Sequence, residues 1–340
     1  MGSVSLQPSP EINFIVGDNG AGKTSILEAI VVLSRGRSFR TSQASELVGP
    51  VKSTFSVFIE TQRDGGKSDR LGLERSGKHW KARKNGRDLA QISQLTRSLP
   101  LVLMEPNSHL LVNGAPEVRR RFLDWGVFHV EHEFLEVWRR FSKALRQRNA
   151  ALRRGEIDVV ESIDEILSPL GSQLSQFREV YSKTIARETQ SIVSELNSGL
   201  SEISLEYQNG WGSVPYHEAL SNWRARDLER GATSQGPHRA DLVIMKGNAF
   251  ARAVLSRGEQ KIFSSALLLA QARFLKSRGE SPVLLLDDLA SEFDSRHYKM
   301  VLEKFLEIDG QVWVTGTGEP DFSGSCSVFH VEHGTLREMV

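Results

Sequence analysis

Ile12-Asn13-Phe14-Ile15-Val16 runs directly into Gly17-Asp18-Asn19-Gly20-Ala21-Gly22-Lys23-Thr24, and Ser25-Ile26-Leu27-Glu28-Ala29-Ile30 follows. The apolar run predicts a short strand and the glycine-rich stretch a turn. Apolar spacing at Ile26, Leu27, Ile30, Val31 and Leu33 predicts a helix from Lys23 to about Ser34. The turn matches G-x-x-x-x-G-K-[ST] in the strand-to-helix context that this pattern requires. Backbone N–H groups in such a loop converge on an anion, and the helix N-terminus adds the positive end of its dipole. Lys23 is placed to reach β- and γ-phosphates and the Thr24 hydroxyl to ligate magnesium. The expected ATP contacts are therefore Gly17, Asp18, Asn19, Gly20, Ala21, Gly22, Lys23, Thr24 and Ser25.

Pro282-Val283-Leu284-Leu285-Leu286-Asp287-Asp288 is an apolar strand that delivers two carboxylates at its C-terminal end, the edge where parallel sheets hold ligands. Asp287 is expected to hold magnesium together with Thr24. Asp288 is expected to orient or deprotonate the attacking water, which makes Asp288 and Lys23 the expected catalytic residues. Taken alone, an Asp-Asp end fits a capped strand equally well, since Asp favours turns; the glycine loop gives it its meaning. Leu255-Ser256-Arg257-Gly258-Glu259-Gln260-Lys261 opens an apolar helix, with Ser256 at a plausible N-cap and Glu259 three residues later, the spacing of a capping box.

Between these motifs the pattern changes twice. Alternation at Phe55, Val57 and Ile59, then at Leu71 and Leu73, followed by Lys84-Asn85-Gly86-Arg87, predicts antiparallel strands with an Asn-Gly hairpin turn. Leu101-Val102-Leu103-Met104, stopped by Pro106, predicts another strand. From about Glu117 to Leu200 the spacing is helical. Phe134, Trp138, Phe141 and Leu145 form one stripe, and Ile163, Leu167, Leu170, Leu174, Phe177 and Tyr181 another, which predicts an antiparallel helix pair with Pro169 kinking the second member. Beyond residue 200, strands and helices alternate again, as in a parallel sheet sandwiched by helices. The resulting division is an N-terminal half at 1–115, a helical arm at 116–200 and a C-terminal half at 201–340.

Composition sets the outer limits. The chain has 340 residues, 39% of them hydrophobic and 25% charged, which is ordinary for a folded globular protein. No apolar run is long enough to span a bilayer and the first residues lack the pattern of a secretory signal, so the expectation is a cytoplasmic protein without a membrane partner. A single cysteine, Cys326, excludes an intramolecular disulfide. With a net charge of +1, any nucleic-acid site must be a local patch. One candidate lies between Glu117 and Arg154, where ten Lys or Arg face five acids. Its expected phosphate contacts are Arg119, Arg120, Arg121, Arg139, Arg140, Lys143, Arg146 and Arg148.

Leu-Ser-x-Gly-x-Gln at Leu255–Gln260 also resembles the signature motif of the ATP-binding-cassette superfamily, and it precedes the Asp-Asp strand as that superfamily's order requires. Several further strings are similar to the RecF family of such ATPases: Gly36-Arg37-Ser38-Phe39-Arg40, Arg120-Arg121-Phe122-Leu123-Asp124-Trp125-Gly126, Arg148-Asn149-Ala150-Ala151-Leu152 and Gly236-Pro237-His238-Arg239-Ala240-Asp241-Leu242. The resemblance covers the chain from about Ile12. It implies an α/β fold: an ABC-type P-loop ATPase head with a parallel-sheet core, an antiparallel β part and a short helical arm inserted between its halves. In that superfamily Leu255, Ser256, Arg257, Gly258, Glu259 and Gln260 would meet the γ-phosphate held by a second copy, and the loop carrying Ser291 and Asp294 would cross the dimer interface. The resemblance further implies an ATP-dependent homodimer on double-stranded and gapped DNA, with weak, DNA-stimulated hydrolysis that releases the DNA. RecR, RecO and RecA would be its partners in recombinational repair and replication. The alternative is a hydrolysis-deficient structural adaptor acting through the arm helices. Family members usually start with a strand and a Phe-Arg-Asn segment; MGSVSLQPSPE stands there instead, and no first strand is recognisable. Met104-Glu105-Pro106-Asn107 and Thr315-Gly316-Thr317 stand near the superfamily's γ-phosphate sensors without matching them.

Overall fold

The computed structural model describes residues 2–41, 47, 54–62, 66, 68–77, 79–196, 198–318, 320, 322 and 324–339. They form two compact units, one built from Met1–Asn107 with Leu275–Val340 and the other from Ser108–Phe274. The second unit is longer than the helical arm expected from the sequence, because residues 201–274 pack with the helices.

In chain order, the first unit begins with β1 (Ile12–Val16), α1 (Lys23–Arg35), β2 (Thr54–Gln62), β3 (Ser68–Ser76), β4 (His79–Lys84), β5 (Arg87–Leu89), α2 (Ser93–Ser98) and β6 (Leu101–Met104). The second unit carries α3 (Leu110–Asn113), α4 (Pro116–Val130), α5 (Phe134–Arg154), α6 (Ile157–Leu196), β7 (Ile203–Gln208), α7 (Tyr216–Arg230), β8 (Asp241–Lys246), β9 (Ala249–Phe250) and α8 (Ala251–Val254). The long helix α9 (Arg257–Ser277) ends it, and the chain returns to the first unit through β10 (Val283–Leu286), α10 (Leu289–Glu292), α11 (Ser295–Leu306), β11 (Val312–Gly316), β12 (Ser327–Glu332) and β13 (Thr335–Met339).

The first unit's main sheet has six strands in the order β13-β12-β1-β11-β10-β6. All neighbours are parallel except β12 and β13, which form an antiparallel hairpin. Every residue of β1 is buried, as a strand flanked on both edges and covered on both faces must be. Ile15, Leu285, Trp313 and Val331 of this sheet share one core with Leu27, Val31 and Leu33 of α1, and with Leu71 and Leu73 of β3. The sheet therefore fixes the direction in which the loop after β1 leaves, and the packing of α1 fixes where that loop ends. A second, antiparallel sheet runs β2-β3-β4-β5. Its tight turn has positive φ at both Asn85 and Gly86, as the Asn-Gly pair leads one to expect.

In the second unit, α5 and α6 form an antiparallel pair, joined by a short connection through Gly155, whose φ is 72°. The buried face of α5 runs Phe134, Val137, Phe141, Ala144, Arg148, Ala151 and Leu152. Trp138, expected on that stripe, is instead 40% exposed. Helix α6 is 40 residues long and continues through Pro169. Leu167, Leu170 and Leu174 around it are buried, and this apolar packing outweighs the backbone bond that proline removes. The second unit also holds the antiparallel sheet β7-β8-β9. No helix among the described residues is long and apolar enough to cross a membrane.

Candidate nucleotide and magnesium site

Gly17–Gly22 leaves the C-terminal end of β1 and closes into the first turn of α1, with Ala21 N–H donating to Asp18 O at 3.2 Å and Ser25 N–H to Gly22 O at 3.0 Å. Positive φ values of 147°, 81° and 112° at Gly17, Gly20 and Gly22 explain the glycines. At Gly17 the constraint is steric as well, since a Cβ there would lie 2.2 Å from the Val331 carbonyl oxygen on β12. The tip of the β12–β13 hairpin touches the loop again, through Gly334 N–H donating to Ala21 O at 3.2 Å.

Lys23 is 7% exposed, and its ammonium folds back over the loop, donating to the carbonyls of Gly17 at 2.6 Å and Asp18 at 3.0 Å. Apart from Ser25, whose N–H turns back onto Gly22 O, the first N–H groups of α1 have no carbonyl partner inside the helix. An ammonium and unspent N–H donors on one glycine-rich loop suit a polyphosphate, which offers acceptors and negative charge together.

Thr24 and Asp287, 263 residues apart in sequence, meet at this edge, the Thr24 hydroxyl donating to Asp287 Oδ1 at 3.0 Å. Asp287 directly follows β10, two strands from β1, and its N–H donates to Met104 O of β6 at 2.8 Å. Burial raises its pKa above the usual carboxylate range, hydrogen bonds from Thr315 and Thr24 pull it back, and Asp288 pushes it up again. A carboxylate kept from water beside a hydroxyl whose lone pairs are still available is a fitting pair for a hard divalent cation. Asp288 follows in the left-handed region, with φ 53° and ψ 40°, uncommon for a residue with a side chain. Its carboxylate Oδ2 lies 2.8 Å from the Ser291 hydroxyl.

Glu105 belongs to the same edge, and sequence reasoning did not assign it. Burial raises its pKa to about 7, with Arg35 opposing and Asp287 adding to the rise. Its position directly after β6, the strand paired with β10, and its place in the stretch that stands near a γ-phosphate sensor marked it out.

The signature segment lies in the second unit. Ser256 and Glu259 cap α9 reciprocally, with Glu259 N–H to Ser256 Oγ at 3.2 Å and Ser256 N–H to Glu259 Oε2 at 2.8 Å. Gln260 is buried, holding Leu255 O at 3.0 Å and receiving Asn113 Nδ2 at 2.7 Å. Ser256, Arg257 and Gly258 are exposed. In the first unit, Asp294 caps α11 by accepting from the N–H groups of Arg296 and His297, each at 3.0 Å.

The eight cations proposed for DNA separate into different environments. Arg119 is 5% exposed and paired bidentately with Asp241, and Arg148 is wholly buried between Asp164 at 2.5 Å and Asp227 at 2.7 Å. Neither can reach a phosphate, so both leave the candidate interface. Arg120 is half-buried and donates to Ala240 O at 2.7 Å, while Arg121 pairs with Glu117. Arg139, Arg140, Lys143 and Arg146 lie exposed along one face of α5.

A glycine loop joining a central parallel strand to a helix, a magnesium-competent Thr–Asp pair at the same edge and a capped signature helix define a P-loop ATPase head of the ABC type. The family described as RecF/RecN/SMC N terminal domain matches residues 2–335. The DNA replication and repair protein RecF of Stenotrophomonas maltophilia is 43% identical over 98% of this chain and 95% of its own length. RecF of Pseudomonas aeruginosa is 39% identical over 98% of this chain and 94% of its own. A solved structure of the recombination mediator protein RecF with ATP, in the RecFOR pathway, superposes with a TM-score of 0.88 at 26% identity, over 98% of this chain and 93% of that one. An Smc head bound to the C-winged helix domain of ScpA shares the fold, with a TM-score of 0.60 at 16% identity. The chain belongs to the RecF family.

Proposed function

We propose that this chain is an ATP-switched, DNA-binding ATPase of recombinational repair and replication. The observation that carries the reading is the meeting of Thr24 and Asp287 beside the Gly17–Gly22 loop. The backbone N–H groups of that loop and the start of α1 bind the phosphates, and Lys23 exchanges its two carbonyl partners for β- and γ-phosphate oxygens. Thr24 and Asp287 would hold magnesium, which when bound neutralises charge on the transferring phosphoryl group. Asp288, steered by Ser291, orients or deprotonates the attacking water. Ser256, Arg257 and Gly258 sit exposed at the N-terminus of a 21-residue helix, a geometry suited to meeting the γ-phosphate of a second copy. ATP then joins two copies, Ser291 and Asp294 lie on the loop that crosses between them, and hydrolysis releases the pair.

The DNA-facing surface in this reading is the exposed side of α5, where Arg139, Arg140, Lys143 and Arg146 extend over roughly 10 Å at 1.5 Å per residue. Double-stranded and gapped DNA are the expected ligands, with RecR and RecO as partners in loading RecA. Sedimentation with and without ATP tests the switch. The wild-type chain is expected to dimerise with ATP, Lys23→Ala to bind ATP much more weakly, and Ser256→Arg to bind ATP while staying monomeric. A Ser256→Arg chain that dimerises normally would remove the shared site, and ATP binding without phosphate release on gapped DNA would favour an adaptor over an ATPase.

A further inference from the structure

Thr315 lies on β11, between the strand that feeds the glycine loop and the strand that leads into Asp287. It is 1% exposed. Its hydroxyl oxygen is 2.8 Å from Asp287 Oδ1 and 2.8 Å from the backbone nitrogen of Asp288. A hydroxyl has one hydrogen to donate and lone pairs to accept with. The Asp288 N–H can only donate, so the Thr315 hydroxyl must accept from it and direct its own hydrogen onto Asp287. Its orientation is thereby fixed without ambiguity.

Two consequences follow for the carboxylates. Asp287 Oδ1 receives hydroxyls from both Thr24 and Thr315, which fixes the rotation of the carboxylate and leaves Oδ2 without a protein hydrogen bond among the described residues. Asp288 sits in a left-handed conformation that its side chain disfavours, and the bond from its N–H to Thr315 holds it there. A change at Thr315 would remove one restraint from each acid at once, leaving Asp287 Oδ1 with Thr24 alone and Asp288 with Ser291.

We propose that Thr315 is a positioning residue for the magnesium site: through one buried hydroxyl it sets the rotation of the Asp287 carboxylate and pins the backbone of Asp288. This rests on the reading of Thr24 and Asp287 as magnesium ligands given above. It does not require Thr315 to touch nucleotide or metal.

The test uses the full chain and mant-ATP, with nucleotide binding followed by fluorescence across a magnesium titration. Thr315→Val keeps the shape and removes the hydroxyl. It is expected to bind mant-ATP in EDTA as the wild type does, yet to need roughly tenfold more magnesium for the half-maximal effect, in line with the 10–100-fold cost of losing an outer-shell partner. Thr315→Ser restores the hydroxyl and is expected to recover the wild-type midpoint. Should Thr315→Val not fold, Thr315→Ala takes its place against the same serine control. A midpoint unchanged in the hydroxyl-less variant overturns the proposal, as does a serine variant shifted as far as valine. If the wild type binds mant-ATP but magnesium has no effect on it, the Thr24–Asp287 reading itself fails, and Thr315 is not the cause.

Discussion

Lys23 and Arg148 are both buried cations, and they are held in opposite ways. Lys23 is satisfied by two neutral carbonyls of its own loop, at 2.6 and 3.0 Å. Arg148 is clamped by the carboxylates of Asp164 and Asp227 and by the Thr233 hydroxyl at 2.9 Å. Burial works against the charge on Arg148, and hydrogen bonding and attraction from the two acids override it, so that its pKa lies above the ordinary arginine value. Carbonyl dipoles can be exchanged for a phosphate that brings full negative charge. Two buried carboxylates cannot be exchanged for anything without leaving charges unpaired. The first cation is kept available for a ligand, and the second locks α5, α6 and α7 together.

Arg148→Met breaks the comparison at its strongest point. Removing one member of a buried ion pair costs about 3–5 kcal/mol, so urea denaturation should show the second unit unfolding at markedly lower denaturant while mant-ATP still binds. Lys23→Ala should do the reverse. ATP affinity falls by roughly 10- to 150-fold, the range for a hydrogen bond to a charged group, and the urea midpoint barely moves, because only neutral carbonyls lose a partner.

The two units should also part company in acid. His238, whose Nε2 lies 3.0 Å from Thr233 O, has its pKa lowered to about 4, chiefly by burial. It stays neutral when folded, so its contribution to the second unit is full above about pH 6.5 and is lost as pH falls towards 4. Glu105 runs the other way. With its pKa raised to about 7 from 4.5, its contribution to the first unit is full below about pH 4.5 and is lost as pH rises through 7. Urea midpoints at pH 7 and pH 5 for His238→Asn and Glu105→Gln should each remove one of these opposed slopes. Identical slopes in both variants would show that neither group controls its unit.

The smallest effect belongs to the exposed face of α5. Neutralising Lys143 or Arg146 should weaken DNA binding only a few-fold and reduce the log–log salt slope by about 0.9 per lost phosphate contact. Neutralising Arg121, already paired with Glu117, should change the slope less.

What the sequence made legible follows from the range of the interactions involved. The glycine loop, the Asn85-Gly86 turn and the Ser256–Glu259 cap are local devices, each written within about eight residues. Thr24 with Asp287 could be paired because both belong to patterns with known chemistry. Thr315 carried no such pattern, since its role exists only once β11 is laid between β1 and β10. The buried arginines were misjudged for a different reason: charge counts ignore direction. Arg148 falls on the same helical face as Phe141, Ala144 and Ala151, and that spacing was the available signal that it points inward. Trp138 was misplaced by counting four residues from Phe134, where Val137, three residues on, takes the buried position.

The strand that precedes the glycine loop has both its neighbours, β11 and β12, at the far end of the chain, with Val16 registered against Gly316 and His330. During synthesis at about 5–20 residues per second, the apolar Ile12–Val16 segment therefore waits roughly 15 to 60 s before anything can pair with it. Residues 108–274 build the other unit from one contiguous stretch, all of it synthesised before residue 312. A chain ending before residue 312 would thus retain the entire glycine loop and still lack the sheet that shapes it, so nascent and truncated forms should depend on chaperones in a way the finished protein does not.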